Sequence, residues 1–191
     1  GTALMMAVSR GFVENARILL DHSAKVNNQR KGGWTALMLA ASRGRDEAVR
    51  LLLDRGAKVD SENDTGKTAL MLASAKGHTD IVQILLAAGA DVRARQKDGI
   101  TALIGSALEG QTEAARLLLD SGADVNSSSK DGGTALMYAA REGHHEVVEL
   151  LLARGAKVNA RTKGGRTALA LARKAGHVEA ARLLEQAGAR R

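Results

Sequence analysis

Thr134-Ala135-Leu136-Met137-Tyr138-Ala139-Ala140, preceded by Gly132-Gly133 and followed by Gly143-His144 and Leu150-Leu151-Leu152, is one of six versions of a single pattern. Its opening tripeptide Thr-Ala-Leu begins at Thr2, Thr35, Thr68, Thr101, Thr134 and Thr167, always 33 residues apart and without insertion or deletion. A glycine stands nine residues after each Thr, at Gly11, Gly44, Gly77, Gly110, Gly143 and Gly176. A second stands 21 after it, at Gly56, Gly89, Gly122, Gly155 and Gly188, with Ser23 as the sole departure. A fixed period between about 20 and 50 residues is the signature of a stacked-repeat architecture.

One unit reads physically as two short helices. Thr35 is a good N-cap, because its hydroxyl can accept from the free amides of the first turn. A helix over Ala36 to Arg43 follows, stopped by Gly44, and a second runs from about Asp46 to Asp54 and carries Leu51-Leu52-Leu53. Gly56 ends it, and a polar, Gly-containing stretch then leads to the next Thr as an extended hairpin or finger. Helices of eight to ten residues do not stand alone in water, so neighbouring units must cover their apolar faces. At roughly 8–10 Å between packed helices, six units make a curved rod about 50–60 Å long.

Composition agrees with thin layers. The 191 residues include no Cys, no Pro and only three aromatics, Phe12, Trp34 and Tyr138. A thick core normally draws on aromatic side chains, whereas Leu, Val, Ile, Met and Ala suffice between closely spaced helices. The 45% hydrophobic and 26% charged content is that of an ordered chain. Without Cys there is no disulfide scaffold, thiol chemistry or thiolate zinc site. No apolar run approaches 18 residues, so membrane insertion is not expected.

The pattern resembles the ankyrin repeat along the whole chain, most closely from Gly132 to Ala156. The family usually writes Thr-Pro-Leu-His; here Ala replaces Pro and mostly Met replaces His. Ala is compatible with the first helical position. Losing the His removes its bond to the Thr, which implies a looser turn. The resemblance implies an all-α, ankyrin-type helical solenoid of six helix-turn-helix repeats joined by β-hairpin or finger loops. It forms a single domain over 1–191, with repeats near 1–32, 33–65, 66–98, 99–131, 132–164 and 165–191.

The two ends differ. Arg173 stands where other repeats have Val8, Ala41, Ser74, Ala107 and Ala140, and Glu185 replaces the third Leu, so repeat six reads as a C-terminal cap. Repeat one keeps Met5, Met6, Val8, Phe12 and Val13 and reads as truncated or uncapped, with earlier repeats or another domain expected before it. The chain opens Gly1-Thr2 without a Met or a signal-peptide pattern; a cytoplasmic location is expected, with any targeting signal elsewhere. Two weak points are Gly105, inside the first helix of repeat four, and Ser23 in a glycine slot.

No chemistry is expected. Gly66-Lys67-Thr68 ends like a phosphate-binding loop, but the required first glycine is Ser61. Asp60, Glu62 and Asp64 alternate like a calcium loop, but Thr65 and Met71 stand where Gly and Glu are required. Gly105-Ser106 lacks the rest of a nucleophile elbow. His78, His144 and His177 share the slot after the inter-helix glycine, about 10 Å apart in neighbouring units, too far to share a zinc, and helix-start hydrogen bonding is expected of them. Asn63-Asp64-Thr65 and Asn126-Ser127-Ser128 match glycosylation acceptors by coincidence. Neither a catalytic site, a metal nor a cofactor is expected, because a one-layer stack offers a groove in place of an enclosed pocket.

Helical spacing puts positions four, seven and eight after each Thr on one stripe. The resemblance implies that partners bind this stripe together with finger positions four, three and one before the Thr. Candidate partner-binding residues are Lys31, Trp34, Leu39 and Arg43 in repeat two and Lys67, Leu72 and Lys76 in repeat three. Lys97, Ile100 and Leu108 follow in repeat four, Tyr138 and Arg141 in repeat five, and Lys163 and Arg166 in repeat six. All the slots together hold ten basic and five acidic residues, a net +5 of the chain's +7. Lys-rich solvated fingers account for that excess as one reading; the other is a positive field for an acidic partner. Trp34 and Tyr138 are candidate anchors, roughly 30 Å apart, a span for an extended peptide or protein surface.

The expected function is therefore a non-catalytic module binding a protein or extended peptide, with an acidic partner as one of the two readings of its charge. The alternatives are a nucleic-acid or oligonucleotide-binding repeat domain, prompted by a pI near 10.0, and an engineered structural scaffold, prompted by the uninterrupted period. Nucleic acid is disfavoured by the lack of basic-aromatic interleaving. A monomer is expected, with the N-terminal face as the surface through which copies could self-associate.

Overall fold

The computed structural model describes residues 2–190. Twelve helices occur among them, two per unit. The first helices are α1 (Ala3–Arg10), α3 (Ala36–Ser42), α5 (Ala69–Lys76), α7 (Ala102–Leu108), α9 (Ala135–Glu142) and α11 (Ala168–Ala175). The second are α2 (Val13–Asp21), α4 (Asp46–Asp54), α6 (Thr79–Ala87), α8 (Thr112–Asp120), α10 (His145–Ala153) and α12 (Val178–Gln186). Each Thr caps its helix as its sequence position requires, the hydroxyl accepting from the amide three residues on at 3.2–3.4 Å. These bonds sit at the long end of the usual range.

Two rows of helices result, and each helix packs on its counterparts in the adjoining units. The first helices are Ala-rich on their buried sides, with Ala36, Ala40 and Ala41 at 0–1% exposure, and they approach one another more closely than the second helices do. Closer spacing in one row bends the stack toward that row, so the first-helix stripe lies on the concave side. Leu4, Leu37, Leu70, Leu103, Leu136 and Leu169, one per unit, are all at most 2% exposed and fill the layers. Only a single isolated bridge, Ser128 to Thr134, represents β-structure among the described residues. The expected hairpins are tight turns closed by bonds such as Asn63 N–H to Lys67 O at 3.0 Å. Successive fingers are joined by Asp64 N–H to Gly32 O, Lys97 N–H to Thr65 O, Lys130 N–H to Asp98 O and Lys163 N–H to Asp131 O, at 2.7–3.1 Å.

Each glycine nine after the Thr has a left-handed backbone, and Gly143 has a second reason to lack a side chain. It adopts a left-handed φ of 80°, and an added Cβ would lie 2.5 Å from His177 Nδ1 in the following repeat. The slot holding the histidines therefore leans on the preceding unit. His144 donates through Nε2 to Leu108 O at 3.1 Å, and no side chain in this slot caps its own second helix. That corrects the expected helix-start role: the bond joins repeats and leaves the helix amides alone. Ser23, at φ 66°, is the sole non-glycine residue with a left-handed backbone among those described.

In repeat six Arg173 and Glu185 pair with each other at 2.6 Å. In repeat one Met6, Phe12 and Ile18 are 51–57% exposed.

Candidate protein-binding groove

The stripe is built by α3, α5, α7, α9 and α11, and the finger before each helix supplies the rim. Along its floor Leu39, Leu72 and Leu108 are half-buried and packed against the core, as are Trp34, Ile100 and Tyr138 at its edges. Lys31, Arg43, Lys76, Lys97, Arg141, Lys163 and Arg166 are exposed and Lys67 half-buried. The floor is thus apolar and the rim cationic. Of the ten basic residues in the groove slots only Arg141 has an acidic partner among the described residues, Glu142 at 2.7 Å. Arg55 and Arg154, by contrast, each hold an Asp of the preceding repeat at 2.8 Å.

Two aromatic positions are elaborated. The Arg30 guanidinium lies 5.6 Å from the centre of the Trp34 ring, a cation–π contact, while Trp34 O accepts from Arg30 N–H at 2.9 Å and fixes the finger that carries both. Sequence spacing gave no sign of Arg30, because the contact crosses a turn and follows no helical period. At the other aromatic, Arg141 stacks 5.0 Å from the Tyr138 ring, and Tyr138 Oη approaches Ser129 Oγ at 3.3 Å. Ser129 in turn donates to Asp131. That bond holds the Asp131 carboxyl below its ordinary pKa; desolvation opposes it, and the Gly133 amide adds to the lowering. Tyr138, Arg141 and Arg166 border one recess that also includes Met137 and Leu171. The structure thus brings three candidates from two repeats together, whereas the Trp34 cluster belongs to the opposite half of the groove.

Other sequence features are absorbed by the scaffold. Asn63 is 8% exposed, and its Oδ1 accepts from Thr65 N–H, Thr65 Oγ1–H and Lys67 N–H at 2.8–3.0 Å. Asn126 bridges to the next repeat through Gly155 O and Lys157 N–H. Asp60, from the calcium-like alternation, accepts from Asp91 N–H at 2.9 Å. No helix is long and apolar enough to cross a membrane among the described residues.

Paired short helices, interlocked fingers and a continuous concave stripe define a helical-repeat solenoid with one open face. A family model described as ankyrin repeats matches three times, over residues 1–63, 56–129 and 126–190, and the chain belongs to that family. Ankyrin repeats are in general non-catalytic protein–protein interaction modules. No curated protein matches the sequence.

Proposed function

We propose that this chain binds an acidic protein or extended acidic peptide along the concave stripe and finger tips, without catalysing a reaction. The supporting observation is the arrangement of unpaired cations: nine of the ten basic groove residues lack an acidic partner within 4.0 Å among the described residues, around a floor of half-buried Leu and aromatic side chains. Acidic side chains of a partner would pair with the rim, while apolar ones displace water from the floor. Trp34 under Arg30 and Tyr138 under Arg141 are rigid anchors of the kind that dominate interface energies.

The test is a titration of the chain with a labelled, Glu-rich peptide carrying interspersed Leu, in parallel with single- and double-stranded oligonucleotides at matched salt. Trp34→Ala with Arg43→Ala should weaken peptide binding by more than about 1 kcal/mol, near fivefold in Kd. Unchanged affinity removes this surface from consideration. Tighter binding of oligonucleotide than of peptide, with a steep salt slope, would establish the nucleic-acid alternative instead.

A further inference from the structure

At four of the five junctions one side chain ties neighbouring repeats together at the finger base. Asn27 donates to Gly56 O at 3.0 Å and accepts Lys58 N–H at 2.8 Å. Asn126 and Asn159 do the same to Gly155 with Lys157 and to Gly188 with Arg190. Asp60 performs the accepting half with a carboxylate oxygen, 2.9 Å from Asp91 N. At the junction of repeats three and four the equivalent residue is Arg93. A guanidinium has no acceptor atom, and no acceptor among the described residues meets the Asp124 amide, the counterpart of those four donors.

At this same junction lies a cavity of about 450 Å³, bordered by Arg93, Arg95, Asp124, Ser127 and Thr101. Ser127 is 6% exposed and borders the cavity. Arg95 is tethered across the junction by its bond to Ser128 O at 2.9 Å, which keeps its charge at the cavity, while Arg93 is exposed and has no acidic partner. Asp124, the one acid on the wall, turns its carboxylate to its own loop, accepting Asn126 N–H at 2.9 Å. Residues carrying an unclaimed amide, a hydroxyl and two guanidinium groups therefore border one space. None of them belongs to the concave stripe.

We propose that this cleft binds a carboxylate, carried by a small organic acid or by an acidic peptide side chain, in the place vacated by the bridging residue. Asp60 shows that a carboxylate oxygen fits that position one junction earlier. The second oxygen is then free for the planar donor fork of an arginine or for the Ser127 hydroxyl. The volume suits a small ligand more than a folded partner.

The experiment is an amide chemical-shift titration of the whole chain with glutarate and, separately, with acetyl-triglutamyl amide, each at constant ionic strength, with sulfate as a third arm. Saturable shifts centred on the Asp124 and Ser127 amides are expected with both carboxylates. A tighter peptide identifies the side-chain source, and a tighter glutarate the free acid. Arg93→Asn should weaken binding by at least about tenfold, because the Asn restores the bridge used at the other junctions. That variant should fold, since Asn occupies the slot in three repeats. Equal shifts of the same amides with sulfate, undiminished glutarate binding in Arg93→Asn, or no saturable shift with either carboxylate would each overturn the proposal.

Discussion

Replacing Ser74 by Ala should make the protein more stable. Ser74 sits in α5 at 0% exposure, and among the described residues its hydroxyl is the only fully buried side-chain polar atom without a hydrogen-bond partner. Leaving such a group dry and unpaired costs about 1–3 kcal/mol. The equivalent positions in repeats two, four and five are Ala41, Ala107 and Ala140, each also at 0% exposure, so this environment already accommodates a methyl group. Ala is further favoured over Ser by up to about 0.5 kcal/mol of helix propensity. Removing one oxygen leaves a void of roughly 10 Å³, worth about 0.2 kcal/mol against the change. The balance is a gain of about 1–3 kcal/mol. Ser106 supplies the control: it is equally buried, but its hydroxyl donates to Leu103 O at 2.9 Å, and Ala stands in the same slot of the other repeats. Ser106→Ala forfeits a bond worth about 0.5–1.5 kcal/mol and should gain little or lose stability. Urea unfolding followed by far-UV circular dichroism compares the two, with hydrogen exchange in α5 covering any loss of two-state behaviour in a repeat array. If Ser74→Ala proves no more stable than Ser106→Ala, the assignment of an unpaired hydroxyl is refuted.

Two further outcomes follow from the packing and the charges. Gly105→Ala should stabilise by about 1 kcal/mol, because the new Cβ meets only Ala75 Cβ at 3.7 Å, whereas Gly143→Ala should destabilise by about 1–2 kcal/mol or more through its φ of 80° and the His177 ring; urea midpoints of opposite sign check the pair. Ser129→Ala should raise the Asp131 pKa toward its ordinary 3.8, seen by titrating the carboxyl carbon resonance. Since the native pKa is depressed, Asp131 stabilises the fold above pH 3.8 and loses that contribution as pH falls through the native value, so the variant should show a shallower acid limb.

The parts of this molecule legible in its sequence are those that repeat every 33 residues within one unit. Thr35, Gly44 and Gly56 bracket two helices, and α4 spans the Asp46–Asp54 range their spacing implies. A cap or a helix stop is decided by residues at most four apart, and local spacing records it. The Ser23 departure was legible for the same reason, as a residue with a Cβ where the chain must turn left-handed. Contacts between units were not. Asn126 reads as a glycosylation acceptor and Asp60 as half of a calcium loop until the next finger is seen 29–31 residues away, taking their bonds. The histidine slot fails similarly, since Leu108 O and His144 are 36 residues apart. In the groove, helical spacing placed the leucines on one face but missed Arg30 over Trp34 and the Ser129–Asp131 support of Tyr138, because both form within finger turns. Once the register of one junction is known, however, the others become readable by translation, and a departure such as Arg93 stands out against Asn27, Asp60, Asn126 and Asn159. In a chain built by repetition, the stacking contacts define the scaffold, and the position where one of them is missing is the physical ground for expecting a site of its own.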